Sequence, residues 1–373
     1  MQKIAILTQP LGMNYGGIIQ NFALQKVLEK NGLHAITINR LAHRELPFIT
    51  SIKVELVYLL KKINGIPYTN RVRKIVLENN LRFIRKNINM TEKLDSDSKL
   101  EAHFKSNEYG AYLVGSDQTW RPKYSPNIYT YFLDFLKDDK AKRIAYATSF
   151  GTDQWEFTSD QTMICRKLVQ KFHAVSVREN AGVHLCRQYF DIDALNVLDP
   201  TLLLNKDDYS TLINKPKISK GLFTYILNES VEKDKFIDKS CSILRLKQTT
   251  NQPKLGLYST ESRNYNDFKF PSIEGWLQGF RDAEFIITDS FHGTVFAIIN
   301  HKPFLAIANH ERGASRFISL LSQLGIEDRL IYDLSSVDDS LLVTPIDYDK
   351  VDQKLTKLKI RSLNFLLDNL ISE

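Results

Sequence analysis

The chain has 373 residues, of which 43% are apolar and 25% charged, and a formal net charge of +7 that fits anionic substrates, an anionic membrane surface or plain solubility. Its length is about twice that of a single-core domain, so two domains of similar size with a ligand cleft between them are expected. Cys165, Cys186 and Cys241 lie far apart with no Cys-x-x-Cys pair, which argues against a zinc site and a disulfide framework and suits a reducing, cytoplasmic interior.

Met1 to Thr8 is too short an apolar stretch for a secretory signal and is expected to form the first strand, from Lys3. No run approaches the roughly 18 consecutive apolar residues that span a bilayer, so any membrane contact would be peripheral. A turn-rich loop from Gln9 to Gly17 leads to a helix predicted over Ile18 to Asn31, ended by Gly32, and His34 to Asn39 is a second strand. This opening is a β-loop-α-β unit of a parallel sheet. Residues 49 to 89 have helical spacing and many bases, among them Lys61, Lys62, Arg71, Arg73, Lys74, Arg82, Arg85 and Lys86, and read as an inserted helical segment. Its basic side is expected either to be solvated or to lie on anionic lipid.

The βα pattern resumes with strands at Ala111 to Val114, Arg143 to Thr148 and Ala174 to Arg178. After a crossing segment, a second set is predicted at Leu222 to Leu227, Ile243 to Leu246, Leu255 to Tyr258, Phe285 to Thr288 and Pro303 to Ile307. The expected domains are 1–204, with the helical insertion, and 205–345. Helices in 346–373 are expected to pack back on the first domain.

Phe285-Ile-Ile-Thr-Asp289-Ser290-Phe291-His292-Gly293-Thr294 carries the strongest signal, because an apolar strand runs directly into polar residues that open a helix. Free amides and the positive end of a helix dipole there make an anion site, and His292 brings a proton to it. Asp289 is expected to hold His292 or to cap the helix. Asn14-Tyr15-Gly16-Gly17 follows the first strand and is expected to be a Gly-rich turn with amides facing a ligand; it is neither the dinucleotide fingerprint nor a P-loop.

Asp117, after Val114-Gly115-Ser116, stands where a carboxylate either caps a helix or faces the cleft. Arg178 ends a strand, and its fork suits a carboxylate or phosphate, the alternative being a salt bridge to Glu179 or another acid. Arg312 and Arg316 follow a later strand and are placed to close over an anion. Trp120 and Trp276 either stack on a sugar or fill the core. His301 and His310 lack metal-ligand spacing, and no RRM-type signature points to nucleic acid.

Together, Asn14-Tyr15-Gly16-Gly17 with Gln20-Asn-Phe-Ala-Leu24-Gln25, Val114-Gly115-Ser116-Asp117-Gln118-Thr-Trp120, Ser176-Val177-Arg178-Glu179, Asp199-Pro200-Thr201 and Thr288 to Thr294 resemble the polysaccharide pyruvyl transferase family over about residues 3 to 330. The resemblance implies an α/β fold of two Rossmann-like domains facing a cleft, GT-B-like, with phosphoenolpyruvate as donor substrate and no further cofactor or metal. The implied product is a cyclic pyruvate ketal on two hydroxyls of a sugar in a cell-surface polysaccharide precursor, with phosphate released. The implied acceptor is a glycan, and a lipid-diphosphate-linked one at the cytoplasmic membrane face is compatible with the basic helices. Many relatives carry Arg-Leu-His-Gly where this chain has Ser290-Phe291-His292-Gly293, so either Arg316 supplies the missing charge or the donor sits differently.

Such chemistry needs an acid at the donor methylene, a base at the sugar hydroxyls and cations around the donor. His292 is the expected acid and Asp117 the expected base. Arg178, Arg316, Ser290, Gly293, Thr294 and Asn14 to Gly17 are the expected substrate contacts. Two other functions share these features: a GT-B-like glycosyltransferase using a nucleotide sugar, and a non-catalytic glycan-binding protein.

Overall fold

Short apolar strands buried on both faces are the mark of parallel sheets covered by helices, and two such sheets organise the computed structural model, which describes residues 3–41, 48–125, 127–136, 140–213, 216, 218, 221–308 and 313–371. The first sheet contains β1 (Lys3–Leu7), β2 (His34–Thr37), β3 (Ala111–Gly115), β4 (Lys142–Thr148), β5 (Ala174–Val177) and β6 (Leu195–Asn196), in the order β2-β1-β3-β4-β5-β6. The second contains β7 (Leu222–Tyr225), β8 (Gln248–Thr250), β9 (Phe285–Thr288), β10 (Phe304–Ile307) and β11 (Leu330–Ile331), in the order β11-β10-β9-β7-β8. All these pairings are parallel.

The helices in chain order are α1 (Tyr15–Lys30), α2 (Phe48–Leu60), α3 (Asn70–Val76), α4 (Glu78–Asn87), α5 (Asp97–Ser106), α6 (Ser159–Val169) and α7 (Asn180–Leu185). They continue with α8 (Lys206–Ser210), α9 (Val231–Leu244), α10 (Ile273–Asp282), α11 (Phe291–Ile299), α12 (Ser315–Leu324) and α13 (Tyr348–Ile371). None of the described helices is long and apolar enough to cross a membrane.

Strand order decides where a ligand can sit. Both sheets reverse direction beside their first strand, between β1 and β3 and between β7 and β9. At such a switch point the following loops part and leave a crevice beyond the strand ends. The β1–α1 and β3 loops therefore face the loops after β7 and β9 across the domain junction. Tyr15 spans that junction, its hydroxyl donating to the Pro271 carbonyl at 2.6 Å and its ring lying among Tyr225, Phe270 and Trp276. The helical insertion also touches the second domain: Phe268 packs with Val72, Val76 and Leu77, and Asn79 donates to the Phe270 carbonyl. Helix α13 begins with Tyr348 donating to Lys302 in the second domain and ends in the first, where Ser362 accepts from the Leu198 amide.

Three local expectations change. Helix α1 starts at Tyr15, three residues before the predicted Ile18, so Gly16 and Gly17 are helical and have no positive φ. Ile243 and Leu244 finish α9, and the strand follows at Gln248; Leu255 to Tyr258 is not a strand. Apolar runs of four residues carry no periodicity that separates a strand from a helix end or a packed loop. Arg312 and His310 lie outside the described residues.

Candidate active site

The β9–α11 turn is built by its own polar groups. Thr288 Oγ1 donates to the Tyr225 carbonyl and accepts from the Ser290 amide, tying the end of β9 to β7. Ser290 is the N-cap of α11, accepting from the Gly293 amide at 3.3 Å, and Thr294 donates back to the Ser290 carbonyl. A β-carbon on Gly293 would lie 2.3 Å from Thr288 Oγ1, so only glycine fits. Ser290 and Thr294 thus serve the helix start, and the buried Thr294 hydroxyl is not presented to a ligand. Asp289 neither holds His292 nor caps the helix. It accepts from the amides of Leu227 and Asn228 and from Lys233 Nζ at 2.8 Å, closing the β7 loop.

His292, in the first turn of α11, crosses to the first domain. Its Nε2 lies 3.4 Å from Asp199 Oδ2, and its other edge packs on Gly16. Asp199 follows β6. Its Oδ1 caps the local turn by accepting from the Thr201 amide and hydroxyl, while Oδ2 accepts from Arg178 Nη1 at 2.6 Å and Ser116 Oγ at 3.1 Å. Burial alone would raise the Asp199 carboxyl, but His292, Arg178 and Thr201 together hold it well below the usual carboxylate range. Asp199 was not among the expected site residues, although Asp199-Pro200-Thr201 is one of the segments that carry the family resemblance; one of its oxygens is spent on the local cap and the other reaches the junction.

Of the two readings of Arg178, ligand fork or salt bridge to an acid, the structure shows the pairing with acids. Its side chain has no exposed surface and its fork is shared between Asp199 and Asp117, the latter at 3.3 Å. A guanidinium withdrawn from water must be paired, so Arg178 serves to tie these two acids together beside Phe291. Asp117, at φ 73°, accepts from Arg178 through Oδ1 and from Asn14 Nδ2 through Oδ2. Gly17 packs against the same carboxylate, a β-carbon there lying 3.1 Å from Oδ2.

Arg316, from α12, is also buried beside Phe291, 5.6 Å from the ring. Burial and the neighbouring Arg178 push its guanidinium down to about 10, with Glu179 and Asp117 opposing the shift. Glu179 has no exposed surface and accepts from Ser149 Oγ and the amides of Phe150 and Gly151; burial raises its carboxyl despite Arg178 and Arg316. Arg121 makes a two-pronged pair with Glu156 at 2.8 and 2.9 Å close by.

The structure therefore brings Asn14, Gly16, Gly17, Asp117, Arg178, His292 and Arg316 to one junction and adds Asp199, Glu179 and Arg121. The start of α1 has no side-chain cap, so its first amides and those of α11 converge from opposite domains, each with the positive end of its dipole inward. Cavities of about 470 and 450 Å³ open on either flank, one beside Asn14, Tyr15 and Tyr225 and the other beside Asn180, Gly313 and Ser319. Trp120 and Trp276 are fully buried among aromatic rings and are core, not sugar platforms.

A crystal structure described as a UDP-N-acetylglucosamine 2-epimerase from Listeria monocytogenes aligns with a TM-score of 0.54 at 8% identity, covering 98% of this chain and 96% of that one. The S. aureus MnaA-UDP co-structure aligns at 0.51 and 12% identity, covering 100% and 98%. These similarities show a shared fold, two Rossmann-like domains in a GT-B-like arrangement. No curated protein matches the chain in sequence. The family pattern described as polysaccharide pyruvyl transferase matches residues 14–311.

Proposed function

Because the chain belongs to the polysaccharide pyruvyl transferase family and is thus a transferase of polysaccharide pyruvylation, we propose that it moves the pyruvyl group of phosphoenolpyruvate onto two hydroxyls of one sugar. The product is a cyclic ketal and the leaving group is phosphate. The observation that carries this reading is the cluster at the domain junction: an imidazole backed by a buried carboxylate, a second carboxylate, and the buried guanidinium of Arg316.

His292 protonates the donor methylene, leaving an oxocarbenium-like carbon to which one sugar hydroxyl adds. Asp199 positions His292. Asp117 accepts the hydroxyl proton. Departure of phosphate, by cleavage of its C–O bond, regenerates the electrophile, and the second hydroxyl closes the ring and gives its proton to the imidazole of His292, while the proton on Asp117 leaves with phosphate. Arg316 and the first amides of α1 and α11 take the donor's anionic groups, and the cation that Ser290 does not supply comes from Arg316. Arg178 holds Asp117 and Asp199 in register without touching the donor.

The test is donor choice. Phosphoenolpyruvate is expected to raise the melting temperature where UDP and GDP sugars do not, and mass spectrometry of candidate glycans incubated with it is expected to reveal an added pyruvate ketal. Stabilisation by nucleotide sugars alone would replace this reading with glycosyl transfer. Glycan binding with no phosphate released from any donor would replace it with a non-catalytic role.

A further inference from the structure

Residues 48–89 contain nine Lys and Arg against two acids, Glu55 and Glu78, a net of +7 that equals the formal charge of the whole chain. The remainder of the molecule is therefore neutral in sum, and the positive field is concentrated on the helical insertion. Its first helix, α2, is also the most apolar exposed element. Ile49, Ile52, Leu56, Leu59 and Leu60 are all exposed, the last two at 72% and 77%. At 100° per residue these positions fall within a stripe roughly 100° wide. The packed side lies beyond the stripe's edge: Ser51 is buried, and Glu55 accepts from Thr69 Oγ1 and Arg71 of the α3 start. The stripe thus points away from the protein, flanked by exposed Lys53, Lys61 and Lys62.

We propose that α2 is an interfacial helix that lays its aliphatic stripe into the surface of an anionic bilayer, with the lysines around it on the lipid head groups. Large aliphatics collected on one exposed face mark an interaction surface, and the basic surround selects negatively charged lipid. A second copy of the chain is disfavoured as the occupant, because pairing α2 with α2 would bring two segments of +7 together. The basic helices considered from sequence alone are the flank of this surface, and its inserted part lies before them. The proposal does not depend on the reaction performed in the cleft.

The experiment is co-sedimentation of the full chain, without donor or acceptor, with vesicles of phosphatidylcholine alone and with added phosphatidylglycerol. Binding to the anionic vesicles is expected, weakened by salt and about tenfold or more weaker in Leu56→Ser/Leu59→Ser/Leu60→Ser. Those positions are solvent-exposed, so the melting temperature of the triple variant should not fall. As a second readout, tryptophan placed by Ile52→Trp should blue-shift on anionic vesicles. Equal partition of the wild type and the triple variant would overturn the proposal. So would a wild-type dimer that the triple variant converts to monomer without any vesicle binding.

Discussion

Gly16 and His292 come from helices of opposite domains and touch so closely that a β-carbon on Gly16 would lie 2.1 Å from the imidazole Nδ1. Glycine is required there by contact with the other domain, since its backbone is ordinary helix. Gly16→Ala must therefore displace His292 from Asp199 or hold the domains apart. A displacement of this kind costs about 100-fold in rate. Phosphate release from phosphoenolpyruvate is expected to fall by that order, with an unchanged far-UV circular dichroism spectrum; normal turnover would show that the closed junction is not the working state.

If His292 is the acid, its loss removes a contribution of about 10²–10⁴ in rate. His292→Gln keeps the volume and a hydrogen-bonding edge near Asp199 but cannot protonate carbon. Its kcat should drop by that range with little change in donor affinity from thermal shifts. Near-normal turnover would take His292 out of the mechanism.

Asp199→Asn leaves Arg178 without the buried counter-charge 2.6 Å away, which should cost about 3–5 kcal/mol at neutral pH. The folded carboxyl is held below its ordinary 3.8, so its stabilisation is complete above that pH and is lost as pH falls through the folded value. Urea midpoints of wild type and variant should lie far apart at neutral pH and approach each other below about pH 3.8. A gap independent of pH would mean that Asp199 acts only as a turn cap.

Arg316 has the opposite sign. A guanidinium lowered to about 10 disfavours the folded state wherever it is protonated both folded and unfolded, which includes neutral pH. Arg316→Gln should then leave the free protein at least as stable. A hydrogen bond to a charged group is worth about 1.5–3 kcal/mol, so the variant should bind phosphoenolpyruvate roughly 10- to 100-fold more weakly. An unchanged donor KM would place the anion elsewhere in the cleft.

Local chemistry made much of this molecule readable in one dimension. Apolar runs ending in polar loops marked the parallel strands, and Phe285 to Thr294 revealed its strand, its capped helix start and its histidine because every contact that builds that turn lies within a few residues or on the adjacent strand. Composition likewise placed a basic helical segment between residues 49 and 89. Contacts between distant segments could not be read that way. The fork of Arg178 could serve a ligand or an acid, and only folding brought Asp117, 61 residues away, and Asp199 to it. The same holds for Gly16, whose lack of a side chain answers to a ring on the opposite domain, and for the outward stripe of α2, since periodicity names a helix's faces but not which one meets solvent. Sequence alone determined the local elements and the chemistry they carry, through nearest-neighbour sterics and hydrogen bonding; tertiary structure decided the partners, because burial makes a buried charge depend on whatever counter-charge the fold brings within reach.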